Sequence, residues 1–196
     1  MITYRSRTSS VETTQTCSRV VLAFPPTIRA LNALNMPLTS DENSLFSKLT
    51  LTPYWSSAVA VNTPFHDSYL QNPFKRLGEP VAFVRLFNES NVATGWQWGE
   101  ISSEREAKEL LADTITLVQT GADIDPPTVT VDDVKAIRTW EYFAHFTGSD
   151  LTTGNAYGKL AALQGVSGTY WASGLNGFET VEFAVRAGKD LVKSYF

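Results

Sequence analysis

Cysteine occurs once, at Cys17, and histidine twice, at His66 and His145. A lone thiol closes no internal disulfide, and no Cys/His cluster offers the spacing of a structural zinc site. There is no uninterrupted apolar run of about eighteen residues, the length a helix needs to cross the hydrocarbon layer, so no transmembrane segment is expected. A basic excess is missing too: 16 Lys and Arg stand against 20 Asp and Glu, for a formal charge of -4. The two signs are interspersed and leave no electrostatic footprint for a nucleic-acid backbone, so DNA or RNA binding is not expected. The first residues, Met1-Ile2-Thr3-Tyr4-Arg5-Ser6-Arg7, run into Ser/Thr-rich sequence without the apolar core of a secretory signal. A soluble protein of unspecified compartment is the expectation. No internal repeat is visible. Asn88-Glu89-Ser90 fits the glycosylation tripeptide, a pattern frequent by chance.

What is present suffices for one substantial domain or two small ones, given 196 residues and an ordinary apolar fraction. Pro25-Pro26, Asn72-Pro73 and Asp125-Pro126-Pro127 punctuate the chain. Before the first of these, Ser18 to Phe24 is a short β-branched run of the kind found in strands buried on both faces. Beyond it, Ile28, Leu31 and Leu34 are spaced as on a short helix. The middle of the chain offers strand-like runs at Ser57 to Val61 and Pro80 to Phe87, so a sheet-based layer is expected there. Ser102 to Gln119 reads as a helix, with Ala107, Leu110, Leu111, Ile115 and Val118 at helical spacing behind a Ser102/Ser103 cap and early acids. Thr128 to Trp140 alternates as a strand or strand pair does.

The strongest pattern lies at the end. An apolar Thr169-Tyr170-Trp171-Ala172 run enters Ser173-Gly174-Leu175-Asn176-Gly177, and a long amphipathic segment from Phe178 to Phe196 follows. Val181, Ala184, Val185, Gly188, Leu191, Val192 and Tyr195 mark one helical face. Glu179 and Glu182 near the start, with Arg186, Lys189 and Lys193 toward the end, suit the helix dipole. Glycines before a helix start let a negatively polarised ligand approach amides that have no partner within the helix. An ordinary strand-to-helix turn satisfies the same two glycines equally well.

At this point the residues resemble a family. Val20-Val21-Leu22-Ala23-Phe24-Pro25-Pro26 is similar to the strand ending in Ala-x-Pro-Pro that leads from the flavin domain into the substrate domain of flavin-containing amine oxidase-like proteins. Trp140 to Phe146, Gly158 to Gly165 and Thr169 to Gly174 are similar to the closing section of one branch, which includes polyunsaturated fatty acid isomerase and fungal β-cyclopiazonate dehydrogenase-like oxidoreductases. The resemblance spans nearly the whole chain in the family's order. It implies FAD held between an N-terminal Rossmann unit and the closing strand-turn-helix, with Ser173 and Gly174 near the diphosphate and ribityl chain, and Phe178, Glu179, Thr180 and Val181 beside the flavin ring. It further implies an apolar cavity in the substrate domain, which Trp96, Trp98, Trp140 and Tyr142 would line; plain packing explains those aromatics as well.

The sequence departs from the family in one place. No Gly-x-Gly-x-x-Gly follows a strand, so the fingerprint that would hold the ADP moiety is missing together with its βαβ unit. The expectation is therefore the C-terminal portion of a larger flavoenzyme, of α/β or α+β class. Residues 1–35 would be the returning strand of the FAD domain and a crossover, 36–139 the substrate domain, and 140–196 the segment that closes the FAD domain.

Other constellations carry less. Gly154-Asn155-Ala156-Tyr157-Gly158-Lys159-Leu160 has one residue too few for a phosphate loop and no hydroxyl after the lysine. His145, in an aromatic segment without a sequence partner, reads as structural, and His66 has no signature around it. Glu179 and Glu182 are explained by the dipole without acid/base work. No catalytic residue is assigned. The functions in play are a flavin-dependent oxidoreductase acting on a small apolar metabolite or unsaturated acid, a non-catalytic remnant or binding module without a flavin of its own, and one chain of a split enzyme whose Rossmann polypeptide is separate.

Overall fold

A computed structural model describes the chain except for residues 62–68, 72–77, 86, 88, 89, 118–128, 178 and 179. It divides into two compact units, one made of Met1–Thr50 with Phe143–Phe196, the other of Leu51–Tyr142.

The first unit opens with an antiparallel hairpin, β1 (Ile2–Arg5) and β2 (Glu12–Gln15), whose eight residues are all exposed. β3 (Val20–Leu22) follows the hairpin. The Pro25-Pro26 step then hands the chain to α1 (Ile28–Ala33), where the Thr27 hydroxyl accepts from the Ala30 amide at 3.2 Å. α1 ends in a left-handed Asn35, with the Asn35 amide bonded to the Asn32 carbonyl and the Met36 amide to the Leu31 carbonyl. This is the paired-carbonyl stop that glycine or asparagine supplies at a helix end. α2 (Ser40–Phe46) starts from a capping box: the Glu42 amide donates to the Thr39 hydroxyl, and the Thr39 amide donates to the Glu42 carboxylate at 2.8 Å. Residues 36–50 thus belong with this unit, and Leu45 and Phe46 enter its core.

The second unit is an antiparallel sheet with one helix. β4 (Thr50–Ala60), β5 (Tyr69–Gln71), β6 (Pro80–Val84) and β7 (Val92–Trp98) precede α3 (Glu104–Leu117), and β8 (Val134–His145) returns after a 3-10 turn at Val131–Asp133. The strand order is β5-β6-β7-β4-β8. Tyr54 lies opposite Trp98 and Ser56 opposite Trp96, with a bulge in the β6/β7 register near Pro80. Alternation along β7 buries Ala93, Gly95 and Gln97 and leaves Trp96 and Trp98 on the other face. α3 covers the first face so closely that a Cβ on Gly95 would lie 2.8 Å from a Leu111 methyl. The Gln97 side-chain amide, fully buried, donates to the carbonyls of Gly78 and Ala107, both at 2.9 Å. Val59, Phe83, Leu111, Ile115 and Val134 form the core. Val118, expected at the end of this helix, lies outside the described residues.

The closing part of the first unit contains α4 (Gly148–Thr152), α5 (Ala156–Ala162), β9 (Thr169–Trp171) and α6 (Val181–Tyr195). β9 pairs in parallel with β3, Val20 against Thr169 and Leu22 against Trp171. Gly168 makes the entry possible: its φ is +75°, and a Cβ there would lie 2.6 Å from the Ser18 carbonyl oxygen. The outer edge of β9 is occupied by the Gln164 side chain, which donates to the Trp171 carbonyl and accepts from the Trp171 amide, each at 2.9 Å. β3 pairs with no second strand among the described residues. Its run was expected to be buried on both faces, yet Val20 and Leu22 are half-buried and Val21 is 45 % exposed: Leu22 packs on the unit's core, and the described residues leave Val21 open. Leu31, Phe46, Phe146, Leu160, Trp171 and Leu175 make this unit's core, with the Phe46 and Trp171 rings edge to face at 4.6 Å.

Candidate functional site

The site read from the sequence falls in two places, one in each unit. In the first unit, β9 delivers the chain into a 3-10 turn at Gly174–Asn176. Ser173 is buried; its hydroxyl accepts from the Leu175 amide at 3.3 Å, and its own amide donates to the Asn176 side-chain oxygen at 2.8 Å. Both polar groups of Ser173 are therefore spent on shaping the turn. Leu175 anchors the turn in the core, and Gly174 is half-buried beside it.

Thr180 caps α6, accepting from the Phe183 amide at 3.4 Å. The first intrahelical bond runs from the Ala184 amide to the Thr180 carbonyl at 3.0 Å. The amides of Val181 and Glu182 are left without an intrahelical partner, as at any helix start. Val181 is 83 % exposed, so this end of α6 is open. Ser173, Gly174, Thr180 and Val181 thus lie along one strand-turn-helix path, while Phe178 and Glu179 lie outside the described residues. An open helix start with spare amides fits the approach of an electron-rich ring or an anionic group.

The other end of α6 is the anchored one. Leu191 is buried, Tyr195 and Phe196 pack on Tyr170 at 5.4 and 5.1 Å, and the Arg19 guanidinium donates to the Tyr195 carbonyl at 2.8 Å while lying over the Phe196 ring. The apolar stripe expected along α6 is therefore only partly used, with Val185 and Val192 exposed. A cavity of about 420 Å³ runs beside this helix, with Trp171, Asn176, Leu191 and Tyr195 in its wall. Another, of about 430 Å³, lies between α2 and α5; Gly154, Ala156 and Lys159 of the rejected phosphate-loop segment are in its wall, and none of the expected cofactor or substrate residues is.

In the second unit, Trp96, Trp98, Trp140 and Tyr142 sit on the sheet. Trp96 is half-buried, Trp98 and Trp140 are exposed, and Tyr142 is half-buried. Tyr54, which the sequence did not single out, joins two of them: its ring centroid is 6.3 Å from Trp98 and 5.0 Å from Tyr142. Its alternation with Ser56 and Ala58 places it on that face, but the signal is obscured by Pro53 and Trp55 on either side. His145 makes a short contact of 2.6 Å between Nδ1 and the Phe143 carbonyl and stacks on the Phe143 ring. Those contacts are structural. The His66 position lies outside the described residues.

No family model matches the chain. An uncharacterized protein of Acanthamoeba polyphaga mimivirus is 29% identical over 177 residues, covering 82% of this chain and 33% of that protein. Among solved structures, the CLA-producing fatty acid isomerase from P. acnes superposes with a TM-score of 0.75 at 20% identity, covering 91% of this chain and 41% of that one. A putrescine oxidase redesigned in its cofactor binding superposes at 0.62 with 16% identity, covering 90% and 43%. The chain spans about a third of that viral relative and about two-fifths of those structures. What it shares with the two enzymes is a mixed helix-and-sheet fold, matched over a partial length of each.

Proposed function

We propose that this chain is the substrate-holding and cofactor-closing portion of a flavin-dependent oxidoreductase of the amine oxidase-like kind, acting on a small apolar metabolite or unsaturated acid. The observation that carries this reading is the match over nine-tenths of the chain to a fatty acid isomerase and to putrescine oxidase, in a fold that ends on the open strand-turn-helix. Bound FAD supplies hydride-accepting chemistry. The chain's own residues have simpler tasks. Ser173 and Asn176 fix the turn, Gly174 presents no side chain to an approaching group, and the amides of Val181 and Glu182, without intrahelical partners, favour negative charge placed against them. Phe178 and Glu179 complete the segment in this proposal. Trp96, Trp98, Trp140 and Tyr142 offer an apolar wall to the substrate in the second unit.

The dinucleotide-binding half is taken to come from a Rossmann polypeptide, and the free edge of β3 supports that. Parallel sheets occur almost only with both faces covered, and an open strand edge is a template for further pairing; here one edge of a two-stranded pair is closed by Gln164 and the other is unpaired among the described residues. The absorption spectrum of the purified chain with added FAD tests the cofactor, alone and co-expressed with an upstream polypeptide carrying a glycine-rich βαβ unit. Visible flavin bands that survive gel filtration in the second case support the proposal; bands in neither case sink it. The second reading, a binding module that holds no flavin, predicts that outcome.

A further inference from the structure

One face of the sheet in the second unit is covered by α3, through Gly95, Gln97 and Phe83. On the opposite face, cross-strand pairing sets Tyr54 against Trp98 and Ser56 against Trp96. Ring contact with Tyr54 puts Tyr142 on the same face, and Trp140 follows by alternation. Along β4 and β7 this face reads Tyr54, Ser56, Ala58, Thr94, Trp96 and Trp98, with no charge. The result is a flat aromatic bed. Tyr54 stands in its middle, half-buried, and its hydroxyl makes no hydrogen bond among the described residues. Burial, and then the neighbouring Tyr142, hold its pKa above the ordinary phenol value, so it remains a donor through neutral and mildly alkaline pH.

A protonated phenol with no acceptor among the described residues, set among indole and phenol rings, matches one kind of ligand. That ligand has a flat apolar body to lie on the rings and an oxygen acceptor to take the hydrogen bond. An ammonium head would find ring faces but no carboxylate on these two strands. We propose that Tyr54 is a specificity-determining residue of this face, donating its hydroxyl hydrogen to the carboxyl or carbonyl oxygen of an unsaturated ligand whose chain lies on Trp98 and Tyr142. The inference rests on taking the second unit as the substrate-holding part.

The test uses cis-parinaric acid, a polyene whose fluorescence rises on leaving water, titrated into the full chain. Its methyl ester retains the acceptor oxygen, and hexadecylamine serves as a competitor lacking one. The acid and the ester are expected to bind, Tyr54→Phe to weaken both by about 5- to 10-fold, as loss of one hydrogen bond predicts, and Trp98→Ala to weaken them further. Hexadecylamine should displace the probe poorly. An affinity unchanged in Tyr54→Phe, no binding of the probe at all, or displacement by the amine as effective as by palmitate, its carboxylic-acid counterpart run as a second competitor, overturns the inference. Far-ultraviolet circular dichroism checks the fold of each variant, and Tyr54→Phe decides alone if Trp98→Ala fails to fold. Flavin retention is read separately in the visible spectrum. Flavin bound without parinarate defeats only the ligand assignment, and parinarate bound through Tyr54 without flavin defeats only the cofactor.

Discussion

Three side chains show how single residues carry this structure. Gln97 is a polar group in an apolar core, tolerated because its two N–H groups each reach a carbonyl. Gln97→Leu keeps roughly the volume but strands the Gly78 carbonyl, and chemical denaturation should show a loss of about 2 kcal/mol. Asn35 sits at φ +51° in the stop that ends α1. Asn35→Gly removes the cost of that conformation and should raise stability by about 0.5 kcal/mol, read as a later denaturation midpoint. Asp150 has its pKa lowered by the Thr147 hydroxyl first and by Lys48, 3.2 Å away, next. A carboxylate held below its unfolded value stabilises the fold above the ordinary carboxylate range and loses that contribution as pH falls through its folded pKa. Asp150→Asn should therefore flatten the acid limb of a plot of stability against pH; an unchanged limb would mean that the contact contributes nothing. Such residues are hard to read from sequence. Gln97 looks like one more polar residue between two tryptophans, and only the arrival of α3 over β7 gives it partners.

At the scale of elements, periodicity located what it could. α3 was expected over Ser102 to Gln119 and is described over Glu104–Leu117; Ser103 caps it by accepting from the Glu106 amide at 3.1 Å. The α6 helix was equally legible, but its buried side was not. The sequence showed a stripe of apolar residues, while Leu191 is the buried one in α6, and Tyr195 and Phe196 touch Tyr170 yet stay exposed. Pattern reports which face prefers to leave water, not whether a neighbour is present to receive it. The contrast is measurable. Leu191→Ala should cost about 2–4 kcal/mol in thermal or chemical unfolding, and Val185→Ser should change stability by less than about 0.5 kcal/mol. A large penalty at Val185 would show that the stripe is covered within the chain itself. The short helices α2 and α4 escaped the sequence reading because they lack the large apolar residues at helical spacing that Ile28, Leu31 and Leu34 supply around α1, and only their threonine starts announce them; α5 escaped it too, announced by its asparagine start.

For the whole molecule, the division into units follows from which residues share a core. One core gathers Val59, Phe83, Leu111 and Ile115 from a continuous stretch of chain; the other gathers Leu31 and Phe46 from before that stretch and Phe146, Leu160 and Trp171 from after it. Strand-rich and helix-rich regions could be told apart in the sequence. That the two flanks return to a common core could not be told from spacing, because the pairing of β3 with β9 is a long-range event without a local signal.

That pairing also sets an order of events. Val20 must find Thr169, so the parallel pair cannot close until the whole intervening stretch has left the ribosome. Loop closure over that length is slow compared with hairpin formation, and the second unit, built from a continuous stretch, has time to fold first. Throughout that interval Val20, Val21 and Leu22 wait for Thr169, Tyr170 and Trp171, an apolar strand with that edge open. The newborn chain is then at its most adhesive, and the residues that complete the fold are also those through which it would aggregate.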